Sequence, residues 1–146
     1  MNIILFGPPG AGKGTQANKL VEQYKLHKFS SGDELRSEIQ KKTPLGNKIQ
    51  KIIDKGQLVP DNIINDLLAK ILSNSSYSNR IIFDGYPRNL DQAKNLKILV
   101  ENNKQKISFV FSLKVEKDLI IKRILGRETC TKCNLIFNEF FNPATK

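Results

Sequence analysis

Apolar and polar positions along this chain follow two patterns, short continuous apolar runs and longer stretches with apolar residues at helical spacing. Residues 3–6 form an apolar run that predicts a buried strand, and further strand candidates lie at residues 27–30, 80–84 and 107–113. Helical patterns follow each strand, and the first helix has an apolar side made of Ala17, Leu20, Val21 and Tyr24. Strands that alternate with helices predict an α/β fold, in which helices cover both faces of a parallel sheet.

Polar and turn-forming residues predict where the helices begin and end. Glu34 stands three residues after Ser31, which predicts a capping box with Ser31 as the N-cap. Thr43 and Pro44 predict the start of another helix, because a capping hydroxyl and a first-turn proline stand in the preferred order. Gly56 predicts the end of that helix, since glycine readily adopts the left-handed conformation that often follows a last turn.

Residues 7–15 join the first predicted strand to the first predicted helix and read Gly-Pro-Pro-Gly-Ala-Gly-Lys-Gly-Thr. A glycine-rich turn at a helix N-terminus directs backbone N–H groups towards an anion, and Lys13 adds a mobile cation for the outer phosphates. The general pattern has Ser or Thr directly after the lysine, whereas here Gly14 stands there and the hydroxyl follows at Thr15. This stretch predicts a nucleoside triphosphate site. The alternative, a glycine-rich linker, is disfavoured by the flanking strand and helix.

The end of the third predicted strand carries a second group of candidate residues. Asp84 can hold Mg²⁺ through water beside the phosphates, and the alternative role for this carboxylate is a helix or turn cap. Gly85 allows close approach of a ligand, Pro87 stiffens the turn, and the guanidinium of Arg88 suits a phosphate. We expect Lys13, Asp84 and Arg88 at the carboxyl edge of the sheet, where ligands bind in parallel α/β folds.

Gln92 lies four residues after Arg88 and is a candidate for reading a base. Its amide donates and accepts at once, which matches the ring nitrogen and the exocyclic amine at one edge of adenine. Taken alone, a surface glutamine is the simpler interpretation of this residue.

Length and composition narrow the class of protein. The chain has 146 residues, of which 39% are hydrophobic and 26% charged, as expected for one globular domain. The apolar runs are too short to span a membrane and no basic segment precedes the first of them, so we expect a cytoplasmic protein. Two cysteines without a secretion signal indicate metal or redox chemistry rather than a disulfide scaffold. His27, the single histidine, is expected at the surface.

The formal net charge of +10 has two interpretations. One is an affinity for nucleic acid. The other is a solvated surface rich in lysine, together with arginines that meet a polyphosphate. The lysines are scattered over every predicted helix, and the chain has no block of five like charges. We therefore expect no nucleic-acid partner.

These motifs together resemble those of the adenylate kinases. The resemblance rests on the P-loop, on residues 30–33 with Arg36, and on the segments 54–60, 84–88 with Gln92, and Gly126-Arg127. It extends from Met1 to the last residue. The departures are small: Ser31 stands where many members have Thr, and Tyr86 where Phe is usual.

The resemblance implies a fold and a reaction. The fold is a P-loop nucleotide kinase core with a parallel sheet flanked by helices, formed by residues 1–29 and 60–125. Residues 30–59 correspond to a nucleoside monophosphate-binding flap, and residues 126–146 to an incomplete lid. The implied reaction transfers the γ-phosphoryl group of Mg·ATP to AMP and gives two ADP, so ATP, AMP and Mg²⁺ are the expected ligands.

The resemblance also implies roles for individual residues. The ATP side comprises Gly10, Ala11, Gly12, Lys13, Gly14, Thr15, Arg123, Arg127, Ile136 and Phe137. The AMP side comprises Ser31, Arg36, Gln57, Leu58, Val59, Gly85, Tyr86, Pro87, Arg88 and Gln92. The expected catalytic groups are the cations Lys13, Arg88, Arg123 and Arg127, because phosphoryl transfer asks for positioning and charge neutralisation rather than a covalent nucleophile.

Cys130 and Cys133 stand on the predicted lid with the spacing of half a zinc site. The alternatives are two unrelated cysteines or a redox pair. Lids of the resembling type carry a second pair of ligands later in the chain, and their chains continue past the point where this one ends. The expectation is therefore a fragment with half of a structural Zn²⁺ site, impaired activity and an open sheet edge.

Two rival functions remain open at this level. Kinases of UMP or CMP resemble the chain closely, but they usually carry Asn at the position of Gln92 and have a short lid. A nucleotide-dependent nucleic-acid-binding protein would suit the charge, although it would leave Arg36, Arg88 and Gln92 without an evident role. We expect an adenylate kinase that is monomeric.

Overall fold

A four-stranded parallel sheet forms the centre of the protein, in a computed structural model that describes residues 1–131 and 136–144. Its strands are β1 (Asn2–Phe6), β2 (His27–Ser30), β3 (Ile81–Asp84) and β4 (Ile107–Ser112). They lie in the order β2-β3-β1-β4. The predicted α/β class and parallel sheet are thus confirmed, and each strand begins and ends within a residue or two of its predicted position.

Helices connect the strands, and a small hairpin follows the last helix. The helices are α1 (Lys13–Tyr24), α2 (Ser31–Gln40), α3 (Pro44–Asp54), α4 (Asp61–Leu72), α5 (Leu90–Asn102) and α6 (Lys117–Leu125), with a 3₁₀ turn at Ser75–Tyr77. The hairpin pairs β5 (Arg127–Thr129) with β6 (Ile136–Asn138) in antiparallel register. Within the described part of the chain, no helix is both long and apolar enough to cross a membrane.

The continuous apolar run of β1 reflects burial on both faces of the sheet. Ile3 and Leu5 point to one face, where they pack with Ala17 of α1. Ile4 points to the other face and joins a larger cluster with Phe29, Leu68, Phe83 and Leu96. Because alternate residues of a strand face opposite sides, a strand buried on both faces needs apolar residues at every position.

Helices α2 and α3 form a separate pair that packs beside α4. Ile49 of α3 is fully buried against Ile63 and Leu67 of α4. Gly46 lets α3 approach α2 closely, since a Cβ at this position would stand 2.1 Å from the carbonyl oxygen of Glu38. This pair occupies most of residues 30–59, the segment that corresponds to the predicted flap.

The helix caps agree with the sequence prediction at α3 but not at α2. The Thr43 hydroxyl accepts a hydrogen bond from the Gly46 N–H at 2.9 Å, with Pro44 in the first turn as predicted. Gly56 adopts φ +68° just after α3, which confirms the predicted left-handed end. The N-cap of α2 is Ser30 and not Ser31, because the Ser30 hydroxyl accepts from the Asp33 N–H. The predicted capping box is therefore wrong by one residue.

His27 also differs from its predicted surface position. It begins β2, and its ring stacks on Tyr77 with centroids 3.8 Å apart and planes 11° from parallel. Its Nε2 atom is buried without a hydrogen-bond partner. Burial lowers the pKa of His27 below its usual value.

The amino edge of the sheet is closed by buried amides. The Asn2 side chain donates to Gln105 Oε1 at 3.1 Å and accepts from the Ile81 N–H at 3.0 Å. Gln105 in turn donates to the Leu72 carbonyl at 2.9 Å and accepts from the Asn79 N–H at 2.9 Å. These bonds satisfy the side-chain amides of Asn2 and Gln105 and tie β1 and β3 to the chain that precedes β4.

The outer strand β4 is less covered than predicted. Phe109, Val110 and Phe111 are all exposed, and α6 has no buried residue. Among the described residues, no strand pairs with the outer edge of β4. The prediction that helices cover both faces of the sheet therefore holds for the inner strands β1 and β3 and is wrong for β4.

Candidate active site

The glycine-rich turn between β1 and α1 folds into a compact loop with left-handed positions. Gly10 has φ +79° and Gly12 has φ +92°, conformations that L side chains rarely adopt. Gly12 is the N-cap of α1 and provides no side chain to cap the helix. The first N–H groups of α1 therefore lack a side-chain partner and, with the helix dipole, form a binding site for an anion.

Lys13 curls back over the loop that carries it. Its ammonium group donates to the Gly7 carbonyl at 2.7 Å and to the Pro8 carbonyl at 3.0 Å. These partners hold the cation beside the turn, within the same loop whose amides would receive a phosphate.

Helix α6 brings Arg123 to the same loop. Its guanidinium lies 3.3 Å from the Ala11 carbonyl and 3.5 Å from the Gly10 carbonyl. Helix α6 packs closely on this loop, since a Cβ on Gly10 would lie 3.0 Å from a side-chain carbon of Ile124 and 3.3 Å from the Ile120 carbonyl oxygen. Arg123, which is 110 residues from Lys13 in sequence, thus shares the P-loop with it.

Asp84 ends β3 directly beside the start of α1. A Cβ on Gly14 would stand 3.4 Å from Asp84 Oδ2, so glycine at this position leaves room for the carboxylate. Burial raises the pKa of Asp84, although the nearby charges of Lys28, Lys13 and Arg88 act to lower it. The cations already present therefore do not fully offset the cost of burying this negative charge.

Lys28 and Asp33 belong to this neighbourhood although the sequence analysis did not single them out. Lys28 Nζ lies 3.3 Å from Asp33 Oδ2, and Asp33 also pairs with Arg36. Lys28 alternates with the buried Phe29 on β2 and therefore lies on the same side as Ser30, which pairs in register with Asp84. The place of Lys28 on β2, two residues before Ser30 and therefore on the same side of the strand, was the available signal.

Arg88 stands at the junction of β3 and α2. Its Nε donates to the Gly85 carbonyl at 2.8 Å, and its Nη2 lies 3.4 Å from the Ser31 hydroxyl. A Cβ on Gly32 would lie 3.3 Å from Arg36 Nη1, so the start of α2 lies between the two guanidinium groups. The predicted AMP residues Ser31, Gly85 and Arg88 are thus brought together, and Arg36 lies one turn further along α2, where it pairs with Asp33.

Tyr86 and Pro87 are buried in the fold. The Tyr86 ring packs edge-on against Phe29, and its hydroxyl donates to Asn65 Oδ1 at 3.0 Å. Because the ring belongs to the core, only the main chain of Tyr86 is available to a ligand. The Tyr86–Pro87 peptide bond is cis.

Gln92 is buried, whereas the simpler interpretation of this residue, taken alone, was a surface glutamine. Its Oε1 accepts from the Arg88 N–H at 2.7 Å, and its Nε2 donates to Asp61 Oδ1 at 2.6 Å. The amide is therefore anchored on both sides, beside Arg88.

Three predicted AMP residues lie on the loop between α3 and α4. Gln57 and Leu58 are exposed, and the side chain of Leu58 is 93% exposed. Val59 packs on the cluster formed by Ile49, Ile63 and Leu67. The described contacts do not bring Gln57 or Leu58 to Arg88.

The hairpin carries the last of the predicted ATP residues. Arg127 opens β5, and Ile136 and Phe137 belong to β6. The hairpin folds back on α6, since Asn138 Nδ2 donates to the Arg123 carbonyl at 3.0 Å. Among the described residues, no hydrogen bond links Arg127, Ile136 or Phe137 to the P-loop.

The two predicted zinc ligands fall in the connection between β5 and β6. Cys130 is half-buried, and Cys133 lies outside the described residues. Within residues 1–131 and 136–144, no group of three or more His, Cys, Asp or Glu side chains could hold a metal ion. The described part of the chain therefore contains no complete zinc site.

The arrangement suits two polyanions that meet at one point. On one side lies an anion-binding helix N-terminus with Lys13 and Arg123, and on the other side lies Arg88 with the start of α2. Asp84 lies within range of the charges of both Lys13 and Arg88. Such a site can neutralise and align phosphate groups, which is what phosphoryl transfer requires.

Comparison with known proteins points to one family. The family model described as adenylate kinase matches residues 5–143 of this chain. A protein named adenylate kinase from Pelagibacter ubique is 53% identical over 142 residues, covering 97% of this chain and 67% of the relative. One from Enterococcus faecalis is 41% identical, covering 98% of this chain and 66% of the relative. One from Novosphingobium aromaticivorans is 43% identical, covering all of this chain and 68% of the relative. The chain thus spans about two thirds of the length of the curated relatives it matches.

Proposed function

Because this chain belongs to the adenylate kinase family, we propose that it transfers the γ-phosphoryl group of Mg·ATP to AMP and gives two ADP. The observation that carries the proposal is that Asp84, at the end of β3, feels the charges of both the P-loop lysine and Arg88. A single carboxylate next to both groups marks the point where the two nucleotides meet.

Each proposed role rests on charge and position. The amides of residues 10–15 and the ammonium of Lys13 hold the ATP phosphates, and Arg123 stabilises them from α6. Arg88, with Ser31 and Arg36 beside it, holds the phosphate of AMP. The acceptor oxygen and the γ-phosphorus then face each other, and the surrounding cations stabilise the charge that spreads over the transferring group.

The remaining proposed contacts belong to the base and to the outer end of ATP. Gln92 reads the adenine of AMP, and residues 57–59 approach the same nucleotide when the flap closes. Arg127, Ile136 and Phe137 reach ATP when the hairpin closes. Closure of both segments excludes water, which protects the phosphoryl group from hydrolysis.

Mg²⁺ fits the carboxylate at the end of β3. The raised pKa of Asp84 means that its charge lacks full compensation in the ligand-free protein, and a divalent cation supplies that compensation. Asp84 would hold the ion through water, and Asp33 is the second carboxylate nearby. When bound, the ion would supply positive charge that neutralises the phosphates.

We also propose that Cys130 and Cys133 bind zinc, as two of the four ligands that a structural site needs. A zinc-release assay with a thiol-blocked sample as control tests it. Zinc binding at one ion per two chains or per chain supports the site, and no retained zinc at micromolar concentration contradicts it.

A coupled assay of ADP formation tests the proposed reaction. The 146-residue chain is given Mg·ATP with AMP, UMP or CMP as the acceptor, and Lys13→Met is the matched inactive control. Preference for AMP and a loss of about a hundred- to a thousandfold in the control support the proposal, since one charge-stabilising donor is typically worth that much. A preference for UMP or CMP would reassign the acceptor. The absolute rate tests the expected impairment, because kinases usually turn over at about 1–100 s⁻¹.

The rival nucleic-acid function is tested separately. Binding that persists at moderate salt in a gel-shift experiment would support it, because phosphate contacts weaken steeply as salt increases. We propose instead a cytoplasmic enzyme whose partners are ATP and AMP.

A further inference from the structure

A carboxylate that lies outside the phosphate-binding residues holds the amide of Gln92. Asp61 is the first residue of α4, and its two oxygens have different partners on α5. Oδ1 accepts from Gln92 Nε2 at 2.6 Å, and Oδ2 accepts from Asn89 Nδ2 at 3.2 Å. Asn89 also caps α5 by accepting from the Gln92 N–H at 2.7 Å. Asp61, Asn89 and Gln92 therefore form a closed set of hydrogen bonds.

The chemistry of these partners fixes which way the Gln92 amide faces. An ionised carboxylate only accepts hydrogen bonds, so the nitrogen of the amide must face Asp61. A backbone N–H only donates, so the oxygen of the amide must face Arg88. Both constraints require the same orientation. Gln92 is 7% exposed, so little water is available to replace either partner.

This orientation matters because an amide can read two kinds of purine. Adenine presents an acceptor ring nitrogen next to a donor amine, whereas a 6-oxopurine presents a donor ring nitrogen next to an acceptor oxygen. A freely rotating glutamine amide can match either pattern by turning through half a turn, since its two ends have opposite hydrogen-bonding character. After the bonds to Asp61 and Arg88 are made, one N–H and one lone pair of the amide remain, in fixed positions.

We propose that Asp61 is a positioning residue that locks the Gln92 amide in the orientation that accepts adenine and rejects 6-oxopurines. The inference rests on the proposed function, because it assumes that Gln92 faces the base of the acceptor nucleotide. It adds a specificity determinant that contacts neither phosphate nor base. Asp61 acts on the base through Gln92, while its second oxygen holds the N-cap residue Asn89.

Binding of AMP and IMP to the 146-residue chain tests the lock without requiring turnover. Isothermal titration calorimetry is carried out on the parent chain, on Asp61→Asn and on Asp91→Asn. The side chain of Asp91 is 90% exposed and lies in the first turn of the same helix α5 as Gln92, so this control removes an equal charge without touching the amide. We expect Asp61→Asn to reduce the preference for AMP over IMP by about tenfold, because its amide can present either a donor or an acceptor to Gln92, and the Arg88 N–H is then the single remaining partner that opposes the reversed orientation. Asp91→Asn should keep the parent ratio.

The outcomes separate the inference from the function on which it rests. A parent chain that binds neither nucleotide would overturn the proposed function and the lock together. A parent chain that binds AMP, with the same AMP-to-IMP ratio in Asp61→Asn, would overturn the lock alone. A merely structural role for Asp61 would weaken both ligands equally and leave the ratio unchanged.

A second measurement on the parent chain covers the case in which Asp61→Asn does not fold. Proton exchange of the Gln92 side-chain amide with water is followed by NMR. The lock predicts exchange at least tenfold slower than that of an exposed glutamine such as Gln57. Exchange at the rate of Gln57 would show that the amide turns freely and would overturn the proposal.

Discussion

At the scale of single residues, the charged groups at the carboxyl edge of the sheet influence one another. Asp84 is buried with a raised pKa while the cations Lys13, Lys28 and Arg88 surround it. Of these cations, Lys28 lowers the pKa of Asp84 the most. Its Nζ also lies 3.3 Å from Asp33 Oδ2. At the proposed magnesium site, Lys28 would therefore compete with the divalent cation for the same carboxylates.

Replacing Lys28 should strengthen binding of a divalent cation. In Lys28→Gln the local positive charge is lost, so we expect Mn²⁺, used in place of Mg²⁺, to bind several-fold more tightly at low ionic strength. Electron paramagnetic resonance of free Mn²⁺ measures this without turnover. Lys19→Gln, an exposed lysine on α1, is the control for net charge. Equal affinities in the two variants would contradict the proposed competition.

His27 gives a prediction on pH. Burial disfavours its protonated form, so its pKa in the folded state is below the usual value of 6.5. Its contribution to stability is therefore complete above pH 6.5 and is lost as the pH falls below that value towards the folded-state pKa. His27→Phe keeps a ring to stack on Tyr77 and removes the titration.

Thermal unfolding of the two proteins checks this sign. Between pH 7.5 and pH 5.5 we expect the melting temperature of the parent to fall by about 1–3 °C more than that of His27→Phe. Other groups titrate in the same way in both proteins and cancel in the comparison. If the melting temperatures of the two proteins fall equally between pH 7.5 and pH 5.5, the folded protein accommodates the protonated ring without a loss of stability.

Site residues could be predicted from the sequence where the residues next to them in the chain form a recognisable motif. The P-loop, Asp84 and Arg88 follow directly from a strand, a turn and a helix in order. Lys28 and Asp61 could not be found in this way, because their partners lie on other elements. Gln92, the partner of Asp61, is 31 residues away in sequence. Their roles depend on how α4, α5 and β2 pack, which a linear pattern does not contain.

At the scale of elements, the contact between α2 and α3 depends on one glycine. In an open helix, Gly→Ala stabilises by up to about 1 kcal/mol. Gly46→Ala should instead destabilise by about 1–3 kcal/mol or more, because its methyl group would press on the backbone of Glu38. Urea unfolding measures the difference.

The matched control is another glycine of the same helix pair. At Gly32 a Cβ would meet only the guanidinium end of Arg36, at 3.3 Å, and this flexible group can move. We expect Gly32→Ala to be neutral or slightly stabilising. If both substitutions change stability by the same amount in the same direction, the claim that Gly46 is needed for the close approach of the two helices is contradicted.

The α2 cap shows where element boundaries escape prediction. Ser30 and Ser31 are adjacent hydroxyls, and Glu34 in the expected position favoured the second. The strand pairing of Ser30 with Asp84 extends β2 to that residue, so the helix begins at once and Ser30 becomes its cap. Sheet register, a long-range property, therefore decided between two residues that local chemistry ranked nearly equally.

For the whole molecule, the alternation of strands and helices was sufficient to predict the class of fold. It did not predict the strand order or the exposure of β4. Each apolar residue of β4 fits a strand covered on both faces, and the sequence pattern does not reveal which neighbour would cover it. Phe109 and Phe111 stack on each other with ring centroids 5.9 Å apart, and both residues are partly exposed.

The open edge of β4 gives a prediction on association. At high protein concentration we expect the 146-residue chain to self-associate, and more so as salt screens its net charge of +10. Val110, 58% exposed on β4, is the position to change, and Val110→Lys should shift the chain to monomer in sedimentation velocity. Ile98→Lys adds the same charge at an exposed site on α5 and should not. A parent chain that stays monomeric at all salt concentrations would support the expected monomer instead.

The contacts of Lys13 have a consequence for how quickly ligands come and go. Before a nucleotide arrives, the ammonium group is already solvated by the carbonyls of Gly7 and Pro8. Under the proposed function, an incoming phosphate would exchange these partners rather than desolvate a bare ion, and a departing product would return the side chain to them. The two carbonyls would thereby weaken the hold on product and favour its rapid release.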